Sequence, residues 1–105
     1  MRGTDKMRRA AKVDENQSVI VKALRRIGCT VLITSQLKNA FDLLVGYDGK
    51  LFIMEVKDGE KPPSQRKLSE GEQKCADDFE RVNVPYNVVN SIDEAVELVT
   101  KRESN

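Results

Sequence analysis

The chain has 105 residues, 39% hydrophobic and 33% charged, with 18 Lys and Arg against 17 Asp and Glu for a formal net charge of +1. That length suits one domain rather than two, the apolar fraction suffices for a modest core, and the average charge argues against a strongly basic nucleic-acid binder. Histidine is missing, which excludes Ser-His-Asp, Cys-His and other histidine-based mechanisms; Cys29 and Cys75 make neither a zinc site alone nor a disulfide framework.

The charge is unevenly spread. Residues 1–12 carry five basic residues and one acid, residues 13–67 nine and seven, and residues 68–105 four and nine. The first two thirds are therefore basic and the last third acidic, with the late acids expected on outer helix faces. No apolar run approaches the roughly 18 residues of a membrane span, and no secretory pattern opens the chain. The expectation is a soluble cytoplasmic domain with no membrane partner, whose chemistry rests on carboxylates, lysines or hydroxyls.

Residues 1–12 (MRGTDKMRRAAK) lack apolar periodicity and read as a flexible basic arm. A helix is expected from Val13, with Val13, Ile20, Ala23, Leu24 and Ile27 on one face, Asp14 and Gln17 as a capping box, and Gly28 as the stop. Thr30–Ser35 reads as a strand. Phe41–Tyr47 and Lys50–Lys57 read as two more, joined by the turn dipeptide Asp48-Gly49. A polar loop over 58–67 precedes a helix that opens at the capping box Ser69…Glu72 and turns Cys75, Ala76, Phe79 and Val82 inward. Tyr86–Asn90 reads as a short strand. The last helix opens at Ser91…Glu94 and is expected to bury Ile92, Ala95, Val96 and Val99. The order α-β-β-β-α-β-α predicts an α/β domain with helices flanking a sheet, covering residues 13–105.

The hairpin carries the chemistry. A turn at Asp48-Gly49 pairs Tyr47 with Lys50, and counting outward sets Asp42 directly opposite Glu55. Side chains so opposed share a face about 4.5–5.5 Å apart, and Lys57, two residues on, shares it as well. Leu44, Leu51 and Ile53 continue that face, while Phe41, Leu43, Val45, Phe52, Met54 and Val56 fill the other. Two opposed carboxylates at the end of an apolar face repel and need a positive partner, for which a hard divalent cation is suited. A plain ion cluster at a strand edge is the alternative. A Glu-x-Lys triplet arises by chance in roughly one chain in three of this length. The second copy, Glu72-Gln73-Lys74, falls on a helix where positions two apart diverge, and reads as incidental.

A helix, then a strand aspartate, a hairpin and Glu-x-Lys, followed by helix-strand-helix, resembles the PD-(D/E)xK nuclease superfamily, in particular its small VRR-NUC and Holliday-junction-resolvase-like branch common in phages. The stretches that carry the resemblance are residues 14–31 (DENQSVIVKALRRIGCTV), 41–59 (FDLLVGYDGKLFIMEVKDG), 66–73 (RKLSEGEQ) and 86–99 (YNVVNSIDEAVELV). The resemblance implies a restriction-endonuclease-like αβββαβα core with a mixed sheet flanked by helices. It also implies Mg²⁺ or Mn²⁺ on Asp42, Glu55 and the Val56 carbonyl, with Lys57 orienting or deprotonating the attacking water. A metal lowers the pKa of water and neutralises charge developing at a phosphodiester, which agrees with that assignment.

Two positions depart from the pattern. Phe41 stands where relatives have proline, and the helix-1 glutamate expected near the metal is matched by Glu15-Asn16-Gln17, of which Asn16 or Gln17 faces the core. Those amides are read as substrate or water contacts, or alternatively as a simple cap. Gln73, matching a helix-2 glutamine of relatives, either reaches the site or faces solvent.

Phosphate contacts are expected from Lys61, Arg66 and Lys67 in the loop after Lys57. Arg2, Lys6, Arg8, Arg9 and Lys12 either reach along the duplex or form a solvated tail, and Lys22, Arg25 and Arg26 solubilise the first helix. The reading is thus a Mg²⁺-dependent endonuclease selective for branched or junction DNA, acting as a homodimer. A catalytically silent nuclease-fold module that binds DNA or a protein, and a metal-binding module without nucleic acid, are the alternatives.

Overall fold

A computed structural model describes residues 4–101, with side chains described from Glu15 onward. The elements are α1 (Thr4–Arg26), β1 (Thr30–Ile33), β2 (Leu43–Tyr47), β3 (Lys50–Val56), a 3₁₀ turn (Pro63–Gln65), α2 (Glu70–Arg81), β4 (Tyr86–Val89) and α3 (Ile92–Thr100). The four strands form one sheet in the order β1-β2-β3-β4. β1, β2 and β3 pair antiparallel, and β4 joins β3 in parallel after the α2 crossover. This is an α/β domain with a mixed sheet, in the expected element order. Among the described residues no helix is long and apolar enough to cross a membrane.

α1 starts at Thr4 rather than at Val13, so the backbone of residues 4–12, expected as an arm, is helical. Ala, Arg, Lys and Met in this stretch are strong helix formers, and propensity extends the helix where apolar periodicity gives no signal. Asp14 and Gln17 consequently lie inside α1 rather than at its N-terminus. Arg2 lies outside the described residues, as do the side chains of Lys6, Arg8, Arg9 and Lys12. At its other end α1 stops as expected. Gly28, at φ 106°, donates to Arg25 and lets Cys29 donate to Leu24, a Schellman closure that only a left-handed residue permits.

Two cores sandwich the sheet. Ile20, Val21 and Leu24 of α1 and Ala95 and Val99 of α3 pack on Val31, Leu43, Val45, Met54 and Val89. On the other face Ala76, with Cys75 and Phe79 of α2, packs on Ile53, Tyr86 and Leu44. Leu51, expected on that covered face, sits next to the hairpin turn at the start of β3 and is 71% exposed. Ile92 and Val82, at the first position of α3 and the C-cap of α2, are exposed too.

The hairpin register is the expected one from Tyr47↔Lys50 out to Leu43↔Met54. Asp48 (φ 50°) and Gly49 (φ 80°) both adopt the left-handed conformation of the tight hairpin turn. Beyond Leu43 the ladder breaks. The Asp42 amide donates to the Met54 carbonyl at 3.1 Å, so Asp42 and Leu43 together oppose Met54 in a bulge, and Asp42 does not lie directly across from Glu55. The bulge also moves Phe41 to the opposite face from the expected one, against Phe79, with ring centroids 6.2 Å apart and an edge-to-face angle of 72°.

Candidate active site

Three elements bring charged side chains to the end of the α2-covered face. Glu55 follows Met54, which is buried under α1 and α3, so alternation turns Glu55 toward α2. It is 3% exposed and is the one buried charged side chain among the described residues. Lys57, two positions on, points the same way, and its amide donates to Val89 at 3.0 Å, continuing the β3–β4 pairing.

Asp42 reaches the same place by the bulge. Thr34 donates to its carbonyl at 2.7 Å, and Asp42 Oδ2 accepts the Val56 amide at 2.9 Å. The Phe41 ring in the α2 core and the Phe41 carbonyl, bonded to Thr34 Oγ1 at 2.8 Å, fix the chain ahead of Asp42.

The residue missed by sequence reasoning is Glu72. Its Oε1 accepts from Lys57 Nζ at 3.2 Å, while Lys57 Nζ lies 3.4 Å from Glu55 Oε2. The sequence places Glu72 in the α2 capping box, where it does act: Ser69 Oγ accepts the Glu72 amide at 3.1 Å and Glu72 Oε1 accepts the Ser69 amide at 3.0 Å. The signal was available. Extending the inner face Cys75, Ala76 and Phe79 back by one turn lands on Glu72.

Asp42, Glu55, Val56, Lys57 and Glu72 line a cleft of about 590 Å³, together with Asn16, Lys61 and Gln65 and the acids Asp58 and Glu60. Asn16 Nδ2 donates to the Lys57 carbonyl at 2.7 Å, tying α1 to the end of β3. Of the expected supporting residues, Asn16 is at the cleft. Gln17 instead contacts Ser35 Oγ at 3.5 Å, and Gln73 bonds Asp77 on the outer side of α2. Lys61 lines the cleft. Arg66 lines a neighbouring one with Asn90 and Glu94, and Lys67 is exposed away from both.

The charges are strongly coupled. Burial, a hydrogen bond with Glu72 and the charge of Asp42 push Glu55 up to about 8, although Lys57 opposes the shift. Burial also raises Asp42, only partly offset by the Val56 amide. Burial alone would lower Lys57, but its bonds to Glu72 and Glu55 outweigh this and raise it. Burial works against the Glu72 carboxylate too, yet the Ser69 amide, Glu55 and Lys57 hold it below its usual range.

Among the described residues, no three His, Cys, Asp or Glu side chains close into a ready-made metal cage. The lining still fits a hard cation. It offers oxygen donors on five acidic side chains against two lysines, and the most buried of them, Glu55, shares its ion-pair partner Lys57 with Glu72. The cleft itself is therefore acidic; of its five acids only Glu72 comes from the late, acidic third of the chain, where it departs from the expected outer-face placement.

No family model, curated protein or solved structure matches this chain.

Proposed function

We propose that the protein is a divalent-metal-dependent DNA endonuclease with a restriction-endonuclease-like core, hydrolysing phosphodiester bonds in branched or junction DNA. The observation that carries this reading is the convergence of Asp42, Glu55 and Lys57 in one cleft. Their separation along the chain and the bulge at Asp42 make that convergence a product of the fold rather than of sequence proximity. The element order and the β3-α2-β4 crossover support the same reading.

Asp42, Glu55 and the Val56 carbonyl would hold Mg²⁺ or Mn²⁺, which supplies charge neutralisation and a water of lowered pKa. Lys57, held as an ammonium by two carboxylates, orients the attacking water and balances charge on the phosphoryl oxygens. Asn16 fixes the Lys57 backbone from behind. An acidic cleft repels phosphate until a cation occupies it, so metal binding precedes DNA binding. Lys61 supplies a contact that positions the backbone without reading sequence. One chain carries one such cleft, so cutting both strands of a junction calls for a second copy.

The test is cleavage of junction, flap and linear duplex DNA in Mg²⁺ or Mn²⁺, with Asp42→Asn and Lys57→Ala as controls. Cleavage that both substitutions reduce at least ~100-fold supports the proposal. Salt-sensitive DNA binding with no cleavage in either metal would replace it with a silent nuclease-fold binding module.

A further inference from the structure

We infer that Glu72 is a positioning residue for Lys57, and that the N-terminal turn of α2 is built to hold that lysine over the cleft. The inference deepens the proposed function and rests on it for its catalytic part only.

A lysine carries about 2 kcal/mol of rotamer entropy, so a bare ion pair at a surface holds it poorly. This pair is not bare. The Lys57 side chain is 19% exposed and that of Glu72 is 23% exposed. Glu72 is also fixed before it meets the lysine: one oxygen, Oε1, takes both the Ser69 amide at 3.0 Å and Lys57 Nζ at 3.2 Å. The reciprocal bond from the Glu72 amide to Ser69 Oγ closes the turn around it. The carboxylate is thus a preset acceptor, and ordering it costs nothing further when Lys57 docks.

The second partner of Lys57, Glu55, is also a proposed cation ligand. An oxygen engaged by a divalent cation has less to offer the ammonium. Glu72, which stands on a different element, then keeps Lys57 in place. Its neighbour Gln73 cannot do this, because it bonds Asp77 on the outer side of α2.

The experiment separates capping from positioning. Glu72→Gln keeps an N3 side chain that caps the helix and removes the charge. Ser69→Ala removes the cap hydroxyl but keeps the backbone amide that anchors Glu72. The metal-free proteins are treated with an amine-acetylating reagent, and labelling of Lys57 is read by peptide mass spectrometry against the exposed Lys74. Expected are slow labelling of Lys57 in the parent chain, a rise of about tenfold in Glu72→Gln with the midpoint Tm within ~3 °C, and in Ser69→Ala a Tm lowered by about 5 °C with Lys57 labelling within ~2-fold of the parent. In cleavage assays Glu72→Gln lowers kcat ~10- to 100-fold with KM within ~3-fold, and adds nothing to Lys57→Ala. Unchanged Lys57 labelling in Glu72→Gln overturns the inference, as does an equal rise in Ser69→Ala. The labelling result stands whether or not the parent chain cleaves DNA, so failure of the nuclease reading and failure of this one are seen separately.

Discussion

Replacing Glu55 by Gln should make the metal-free protein more stable, and the gain should grow with pH. The carboxyl is 3% exposed and its value is pushed from 4.5 to about 8 on folding, first by burial and then by its acidic neighbours. A raised carboxyl favours the folded state below pH 4.5, and that contribution is lost as pH rises toward 8, because the unfolded chain releases the proton first. At about 1.4 kcal/mol per unit, the charge costs the fold up to ~4–5 kcal/mol above pH 8. Water entry and side-chain relaxation leave on the order of 2 kcal/mol, equivalent to about 8–16 °C in Tm for a domain of this size.

The glutamine keeps the shape and removes the charge, and Lys57 retains Glu72 as a partner. Thermal melts in chelator at pH 5 and pH 9 should therefore give near-equal Tm values at pH 5 and a higher Tm for Glu55→Gln at pH 9. Adding Mg²⁺ should raise the Tm of the parent chain and leave that of Glu55→Gln unmoved. A variant no more stable than the parent at pH 9 would refute the buried-charge argument, and Mg²⁺ stabilising both equally would refute Glu55 as a ligand.

The scaffold makes further predictions. Leu24→Ala, at a fully buried position between α1 and the sheet, should cost about 2–5 kcal/mol in urea denaturation, and Leu51→Ala, on the open part of the sheet, less than ~0.5. Gly28→Ala should cost roughly 1–2 kcal/mol by the same measurement, from backbone strain alone, since an added Cβ meets only Tyr47 Cε1 at 3.9 Å. Tyr86→Phe removes the hydroxyl that donates to the Ala40 carbonyl at 2.7 Å, just ahead of Asp42. It should cost about 1 kcal/mol, and if that bond holds the Asp42 segment, hydrogen exchange should quicken at the Asp42 amide and stay unchanged at Val45.

Much of the architecture was legible in local pattern. Asp48-Gly49 set the hairpin register, Gly28 ended the first helix, and Ser69 and Ser91 opened the other two, because each is a short-range steric or hydrogen-bonding choice. The start of α1 was not legible from apolar spacing, since residues 4–12 are helical without an apolar periodicity. Asp42, Glu55 and Lys57 could be picked out by counting along two strands. The bulge could not, because whether one residue slips depends on what Phe41 and Asp42 find across the sheet: the α2 core for one, the Val56 amide for the other.

The sequence by itself determined the order of elements and the hairpin register, and it singled out Asp42 and Glu-x-Lys as candidate site residues. It also marked Glu72 as a helix cap. Only the tertiary structure decided that Glu72 is a cleft residue as well, that Gln17, Gln73 and Lys67 lie away from the cleft, and that Leu51 stays uncovered. The physical reason is common to all of these. A period of 2 or 3.6 says which side chains share a face, but where α2 crosses the sheet fixes what that face meets, and that crossing is set by packing among residues far apart in the chain.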